Sequence, residues 1–265
     1  MISNKKLVLF CSQILLTGAL VGGAPYMVYA DDENSVFGSS SSSADSEDDI
    51  ESDLSGEGQI HKPESLEAPD LTSDPDFVDD STDNTYGYYT IMGNTTVTLS
   101  QMTAQYEERG AEYPSDVLGD GGAETIDDFC TIILEEAYAE GVRAEVVFEQ
   151  AMLETGWLQY GGDSGVSQYN FAGLGTTGNG VQGVSYPDVR TGIRAQVQHL
   201  KAYACDEDLN QDCVDTRFDV VSRESAPYVE WLGQQENPNG SGWAAGANYG
   251  EKLRKLLDQL KEEEK

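Results

Sequence analysis

Apolar positions change their spacing several times along the chain. The first apolar run, residues 7–21, holds no charge and follows a short start that carries Lys5 and Lys6. Gly22, Gly23 and Pro25 interrupt it, and Val28-Tyr29-Ala30 puts small residues at the two positions a signal peptidase reads. This pattern predicts a signal peptide over residues 1–30, cleaved after Ala30, rather than a membrane anchor. The mature chain is then expected to be secreted and extracellular, with no membrane span.

Helical spacing dominates the C-terminal half. Residues 125–140 place Ile126, Cys130, Ile133 and Ala137 on one face, with Asp127 and Asp128 in the first turn and Gly141 as a stop. Further helices are predicted over residues 143–155, 191–205 and 249–261, the last with Leu253, Leu256, Leu257 and Leu260 in phase with Tyr249. Between the second and third lies the glycine-rich stretch 173–186, where Gly178-Asn179-Gly180 predicts the turn of a small hairpin. Ahead of these helices, residues 86–122 read as a lead-in that packs on the domain: an extended piece over 89–100, a short helix over 101–109, and a stop at Asp120-Gly121-Gly122. The predicted fold class is α+β, mostly helical, with the main domain over residues 123–262.

Composition then narrows the partners. Asp plus Glu number 48 against 15 Lys plus Arg, a formal charge of −33. A phosphate backbone or an anionic membrane would be repelled, so neither nucleic acid nor lipid is an expected partner. Residues 31–85 hold 18 acidic residues and one basic residue, Lys62, with a serine run at 39–43. Such a segment lacks the apolar area to offset its ordering entropy and reads as a disordered acidic linker. With only His61 and His199 available, metal chemistry by histidine clusters is not expected, and no cofactor is called for. Asp206, Asp208, Asn210 and Asp212 have calcium-loop spacing, but the sixth and twelfth positions of that loop are Gln211 and Arg217. Cys205 and Cys213 flank this polar stretch and are the expected disulfide of an exported protein. Cys130 falls on an apolar helix face and reads as a buried thiol.

Candidate chemistry concentrates on the second helix. On a helical wheel Gln150 and Glu154 lie one turn apart within the apolar arc of Val146, Val147, Ala151 and Leu153, while Glu145 and Glu149 point to the other side, as solvated charges do. A carboxylate facing a core is paired, protonated or functional. Position alone leaves a capping role and an acid role for Glu154 equally open. Thr155-Gly156-Trp157 turns the chain at once into a glycine-rich, aromatic loop, where a cleft forms readily. A half-buried Glu beside a Trp has a raised pKa and retains a proton near neutral pH, as protonation of a glycosidic oxygen requires. Aromatic residues follow at Tyr160, Tyr169, Phe171, Tyr186, Trp231, Trp243 and Tyr249, with core packing the expectation for Phe171 and Trp231.

The segment with Gln150, Glu154, Gly156 and Trp157 resembles the helix-and-turn motif of the bacterial N-acetylglucosaminidases of glycoside hydrolase family 73: Gln, three residues, Glu, a small residue, Gly, Trp. Tyr169-Asn170-Phe171-Ala172-Gly173-Leu174 is similar to the family's Asn-Phe-Gly-type motif, and Gly242-Trp243-Ala244 with Tyr249 to its closing Trp-Ala…Tyr motif. The three occur in the family order. Domains of this kind also resemble mannosyl-glycoprotein endo-β-N-acetylglucosaminidases. The resemblance implies a lysozyme-like fold and cleavage of peptidoglycan at the cell wall by a monomer. It implies that Glu154 is the general acid, that Gln150, Trp157, Tyr169, Asn170, Trp243 and Tyr249 bind the substrate, and that Trp157 also buttresses the turn. Some members carry a second carboxylate on the hairpin arm; here no Asp or Glu occurs between Asp163 and Asp188. The substrate's own acetamido group is ranked slightly ahead of either residue as the second catalytic group. Two other readings stay open: a lytic transglycosylase or muramidase on the same fold, and a non-catalytic glycan-binding module.

Overall fold

The computed structural model describes residues 67–177 and 180–262. The expected signal peptide, residues 31–66 of the acidic segment, and Gly178 and Asn179 at the expected hairpin turn lie outside the described residues. Among those described, six α-helices follow in order: α1 (Leu99–Arg109), α2 (Ser115–Asp120), α3 (Ile126–Glu140), α4 (Ala144–Thr155), α5 (Val189–Ala204) and α6 (Tyr249–Glu262). The fold is mostly helical, as a lysozyme-like domain requires.

Capping chemistry sets the helix starts. The Thr98 hydroxyl accepts from the Gln101 N–H, and the Gln101 side chain accepts from the Thr98 N–H in return. This capping box starts α1 two residues ahead of the predicted position. Thr125 and Asp128 form the same box on α3. At α5 the Asp188 carboxylate accepts from the Thr191 N–H at 2.7 Å, so this helix also begins earlier than its apolar period suggests.

α4 is the central element, packed against α3, α5 and α6. Residues 144–152 are all buried, so this part of the helix has no solvent side. That corrects the expectation for Glu145 and Glu149, both of which are buried. The lead-in covers Glu145: one of its oxygens accepts from the Tyr89 hydroxyl, the Thr96 N–H and the Thr96 hydroxyl. α3 lies along α5, where Arg190 pairs with Glu135 and Glu136, and Arg194 with Glu136. α6 buries Leu253, Leu257 and Leu260, in the predicted phase.

A buried ion pair closes the loop after α5. Glu140 and Lys201 are 0 % and 1 % exposed at 3.0 Å, and the Glu140 carboxylate also accepts from the N–H groups of Asn210 and Gln211. Gln198 adds bonds to the backbone of Asp212, Val214 and Asp215. The polar stretch is therefore held by backbone-directed side chains. The Cys205–Cys213 disulfide expected from the sequence is not formed: both are free thiols, and the Cys213 thiol lies 3.4 Å from the Asp215 carbonyl. Cys130 is a buried free thiol whose pKa burial raises, as its apolar position implied.

Ordered packing also begins ahead of Tyr86. The Asp80 carboxylate meets the buried Arg143 guanidinium at 2.6 Å, Asp79 pairs with Lys261, and the Ser81 carbonyl accepts from the Thr90 N–H. The last part of the acidic stretch is thus captured by two cations of the domain. Isolated bridges join Thr90 to Tyr228, Met92 to Val142 and Gly233 to Ala244. No named strand occurs among the described residues.

Candidate functional site

Glu154 lies in the last turn of α4, where the chain reverses through an unusual backbone. Gly156, Trp157, Leu158 and Tyr160 all have φ between +55° and +62°. For the non-glycine residues this conformation is disfavoured by about 1–2 kcal/mol each. It persists because the surroundings over-determine it. The Trp157 and Tyr160 N–H groups bond the carbonyls of Met152 and Thr155, and the Thr155 hydroxyl accepts from the Leu158 N–H. The Trp157 ring packs on Tyr106 with the Arg109 guanidinium 5.2 Å from its centre. Trp157 thus faces α1, as a buttress, and is not among the residues lining the cleft that Glu154 opens into.

That cleft has a volume of about 210 Å³, walled by Glu154, by residues 160–164, by Asn170 and Gly173, and by Trp243 and Ala244. That is room for several waters, so Glu154 faces a solvated space. Gly173 has φ +64°, and a Cβ there would stand 3.9 Å from Glu154 Oε2. A side chain at this position would lean over the carboxylate.

Burial pushes the Glu154 pKa from its ordinary 4.5 up to about 7, against the opposing pull of hydrogen bonds from Tyr249 and Trp243. The Tyr249 hydroxyl donates to Glu154 Oε1 at 2.5 Å. Burial, and then the charge of Glu154, hold the Tyr249 hydroxyl well above its own ordinary pKa, so it serves as a neutral donor. Behind it, Gln150 Nε2 donates to the Tyr249 oxygen at 3.2 Å. Trp243 is fixed from the far side by His199, whose ring stands perpendicular to it with centroids 4.9 Å apart. His199 is in turn bonded to the buried Asp215 at 2.6 Å.

The remaining predicted residues divide. Asn170 lines the cleft, but its amide is engaged with backbone: it donates to the carbonyls of Leu174 and Val184 and accepts from the Leu174 N–H. It pins the neck of the 173–186 arm. Tyr169 is turned toward α2, its hydroxyl donating to the Val117 carbonyl, while its own carbonyl lies so close to Gly192 of α5 that a Cβ there would fall 1.8 Å away. Asp163 stands in the cleft wall with Glu154; Asp188 is outside it, capping α5. Trp231 is half-buried in a cluster with Tyr86, Tyr88 and Tyr228. Tyr160, Ser164 and Thr176 line the cleft without having been singled out as site residues. No group of three His, Cys, Asp or Glu side chains able to hold a metal occurs among the described residues.

Comparison with known proteins bears on the same stretch of chain. An uncharacterized protein of Borreliella burgdorferi (strain ATCC 35210 / DSM 4680 / CIP 102532 / B31) is 37% identical over 129 residues, covering 49% of this chain and 60% of that protein. This chain therefore spans less than two thirds of that relative's length. No solved structure matches. The family model described as Glucosaminidase, mannosyl-glycoprotein endo-beta-N-acetylglucosaminidase, matches residues 130–262, half of the chain, from α3 through the acid-bearing turn and the Trp243 loop to the end of α6. The chain belongs to the glucosaminidase family.

Proposed function

We propose that the protein is a secreted peptidoglycan hydrolase, an endo-β-N-acetylglucosaminidase that cuts the glycan strand after N-acetylglucosamine, with Glu154 as general acid. One observation carries the reading: a half-buried carboxylate with a pKa near 7, at the wall of a solvated cleft, with a neutral hydroxyl donating to one of its oxygens. Such a group holds a proton at neutral pH and tolerates losing it.

In the first step Glu154 gives its proton to the glycosidic oxygen as the C1–O bond breaks. The substrate's acetamido oxygen bonds to C1 and forms a cyclic intermediate. In the second step the Glu154 carboxylate takes a proton from water, and the water oxygen bonds to C1 as the ring opens. Asp163, in the same wall, is the side chain available to steady the positive charge that develops; Asp188 is occupied as a helix cap.

Glu154→Gln keeps the shape and removes the proton donor. Lysis of purified walls is expected to fall by about 10²–10⁴-fold with folding intact, and mass spectra of wild-type products to carry reducing N-acetylglucosamine ends. Lysis within a few-fold of wild type overturns the acid assignment. Muramic or anhydro-muramic ends would move the protein to the muramidase or transglycosylase reading, and binding without cleavage to the glycan-binding one. Near-wild-type rates in Asp163→Asn support an acetamido route that does not use Asp163, whereas a collapse there makes Asp163 part of the catalytic machinery, as second carboxylate or as the group that steadies the cyclic cation.

A further inference from the structure

Gln150 stands between two neighbours that fix which end of its amide faces which. On α5, the buried Gln196 has its Nε2 at 3.0 Å from the Val147 carbonyl oxygen and 3.0 Å from Gln150 Oε1. A backbone carbonyl only accepts, so the NH2 end of Gln196 must face it, and the same NH2 takes Gln150 Oε1. The NH2 end of Gln150 is then turned to Tyr249. Because the Tyr249 oxygen accepts there, its single hydrogen is directed at Glu154 Oε1. Gln196 Oε1 has no partner among the described residues. Turning that amide over would satisfy nothing, because it would set an oxygen against two acceptors, Val147 O and Gln150 Oε1. The chain of donors thus runs one way, from Gln196 through Gln150 and Tyr249 to the acid.

We infer that Gln196 is a positioning residue for the acid: by fixing Gln150 and Tyr249 it reserves Glu154 Oε1 for the tyrosine hydrogen, so that the transferable proton sits on Oε2, the oxygen beside Gly173. The inference rests on the reading of Glu154 as the acid. Without Gln196, the Gln150 amide is free to turn and offer its oxygen to Tyr249. Tyr249 then donates to Gln150 and accepts from Glu154 Oε1–H, which sends the acid's proton inward, away from a substrate in the cleft. The ionised form loses a donor and the protonated form gains an acceptor, so the Glu154 pKa rises. Among the cleft-lining residues, the titratable groups beside Glu154 are Tyr160 and Asp163 from the loop after α4, with Tyr249 added from α6. The 170–176 arm and the Trp243–Ala244 wall bring none, and Gln196 and Gln150 carry no charge of their own.

The test follows the Glu154 carboxyl carbon by NMR in protein carrying 13C-labelled glutamate, beside kcat and KM against pH on soluble glycan fragments. It uses wild type, Gln196→Met, Gln150→Met and the double variant. Gln196→Met is expected to raise the Glu154 pKa by about half a unit to one unit. The alkaline limb of kcat should move up equally, kcat should fall about tenfold, and KM should stay unchanged. In the Gln150→Met background, Gln196→Met is expected to add nothing, because the link to Tyr249 is already cut. An unmoved pKa and alkaline limb in folded Gln196→Met, or a full shift with Gln150 already absent, overturns the inference. Should Gln196→Met fail to fold, Gln196→Leu must raise the pKa and lower kcat in its place; no change in either overturns it too. Survival of activity in Glu154→Gln would instead sink the acid assignment and leave the NMR titration interpretable.

Discussion

Glu154→Gln has a consequence for stability that is independent of any substrate. Burial raises the Glu154 pKa from 4.5 to about 7. Between those values the folded protein binds this proton and the unfolded chain does not. Stability therefore falls as pH rises through that window. Below the window both states are protonated and the site costs nothing; above it the cost is complete. At 1.36 kcal/mol per unit the shift amounts to about 3 kcal/mol. Glutamine is neutral throughout, so the difference in stability between variant and wild type should move by about 3 kcal/mol in the variant's favour between pH 4 and pH 8. Every other titrating group is common to both proteins and cancels to first order, as does any constant offset from the amide's own hydrogen bonds. At about 2–4 °C per kcal/mol for a domain of this size, the relative melting temperature should change by about 6–12 °C. Thermal melts followed by circular dichroism at pH 4, 5.5 and 8 measure it. A difference that stays constant to within about 0.5 kcal/mol across that range would refute the raised pKa, and the case for Glu154 as a protonated acid at neutral pH would lose its physical basis.

Three other outcomes are expected. Lys201→Met strands the buried Glu140 carboxylate and should cost about 3–5 kcal/mol by urea unfolding; the Glu140→Gln, Lys201→Met pair should cost much less than the sum of the single variants. Asp188→Ala removes the α5 cap and should lower stability by about 1 kcal/mol while wall lysis stays near wild type; a collapse of lysis would make Asp188 catalytic after all. A chain beginning at Glu67 should melt like the full chain, whereas one beginning at Tyr86 loses Asp79, Asp80 and Ser81 and should melt about 2–4 °C lower, because the Asp80 partner of Arg143 is 59 % exposed and worth about 1 kcal/mol.

Five of the six helices were legible because each places its apolar residues with one period, and Thr98, Thr125 and Asp188 carry cap chemistry that shifts a boundary by only a residue or two, whereas the six-residue α2 is too short to show a period. Glu154 stood out for a related reason: a carboxylate within an apolar arc, followed at once by a chain reversal, is costly unless it is paired, protonated or used. What escaped was everything that depended on how many neighbours a helix has. The wheel gives α4 one wet side, and Glu145 and Glu149 looked solvated on it; packing by α3, α5, α6 and the lead-in leaves residues 144–152 no wet side. Gln196 escaped because its meaning lies in two bonds to residues more than 45 positions away. The loop between Cys205 and Cys213 looked in need of a covalent tie because its own residues are polar. The group that holds it, Glu140, ends a helix far earlier in the chain and reads there as an ordinary surface charge.

The seat of Glu154 accounts for one group of the buried polar side chains, those around Tyr249 and Trp243. The C-terminal turn of a helix carries partial negative charge, so a carboxylate there is disfavoured before any burial is counted. The cleft wall adds to that effect, and an ionised Glu154 would leave its seat unless something held it. Tyr249 and Trp243 hold it without a positive charge, which would have returned the pKa to its ordinary range. Each of these holders must itself be fixed, Tyr249 by Gln150 and Gln196, and Trp243 by the His199–Asp215 pair. A single cation near Glu154 would have been a simpler way to secure the side chain, but it would have drawn off the proton that the proposed acid role requires. The neutral donors behind the acid, and the buried polar residues behind them, follow from that one requirement.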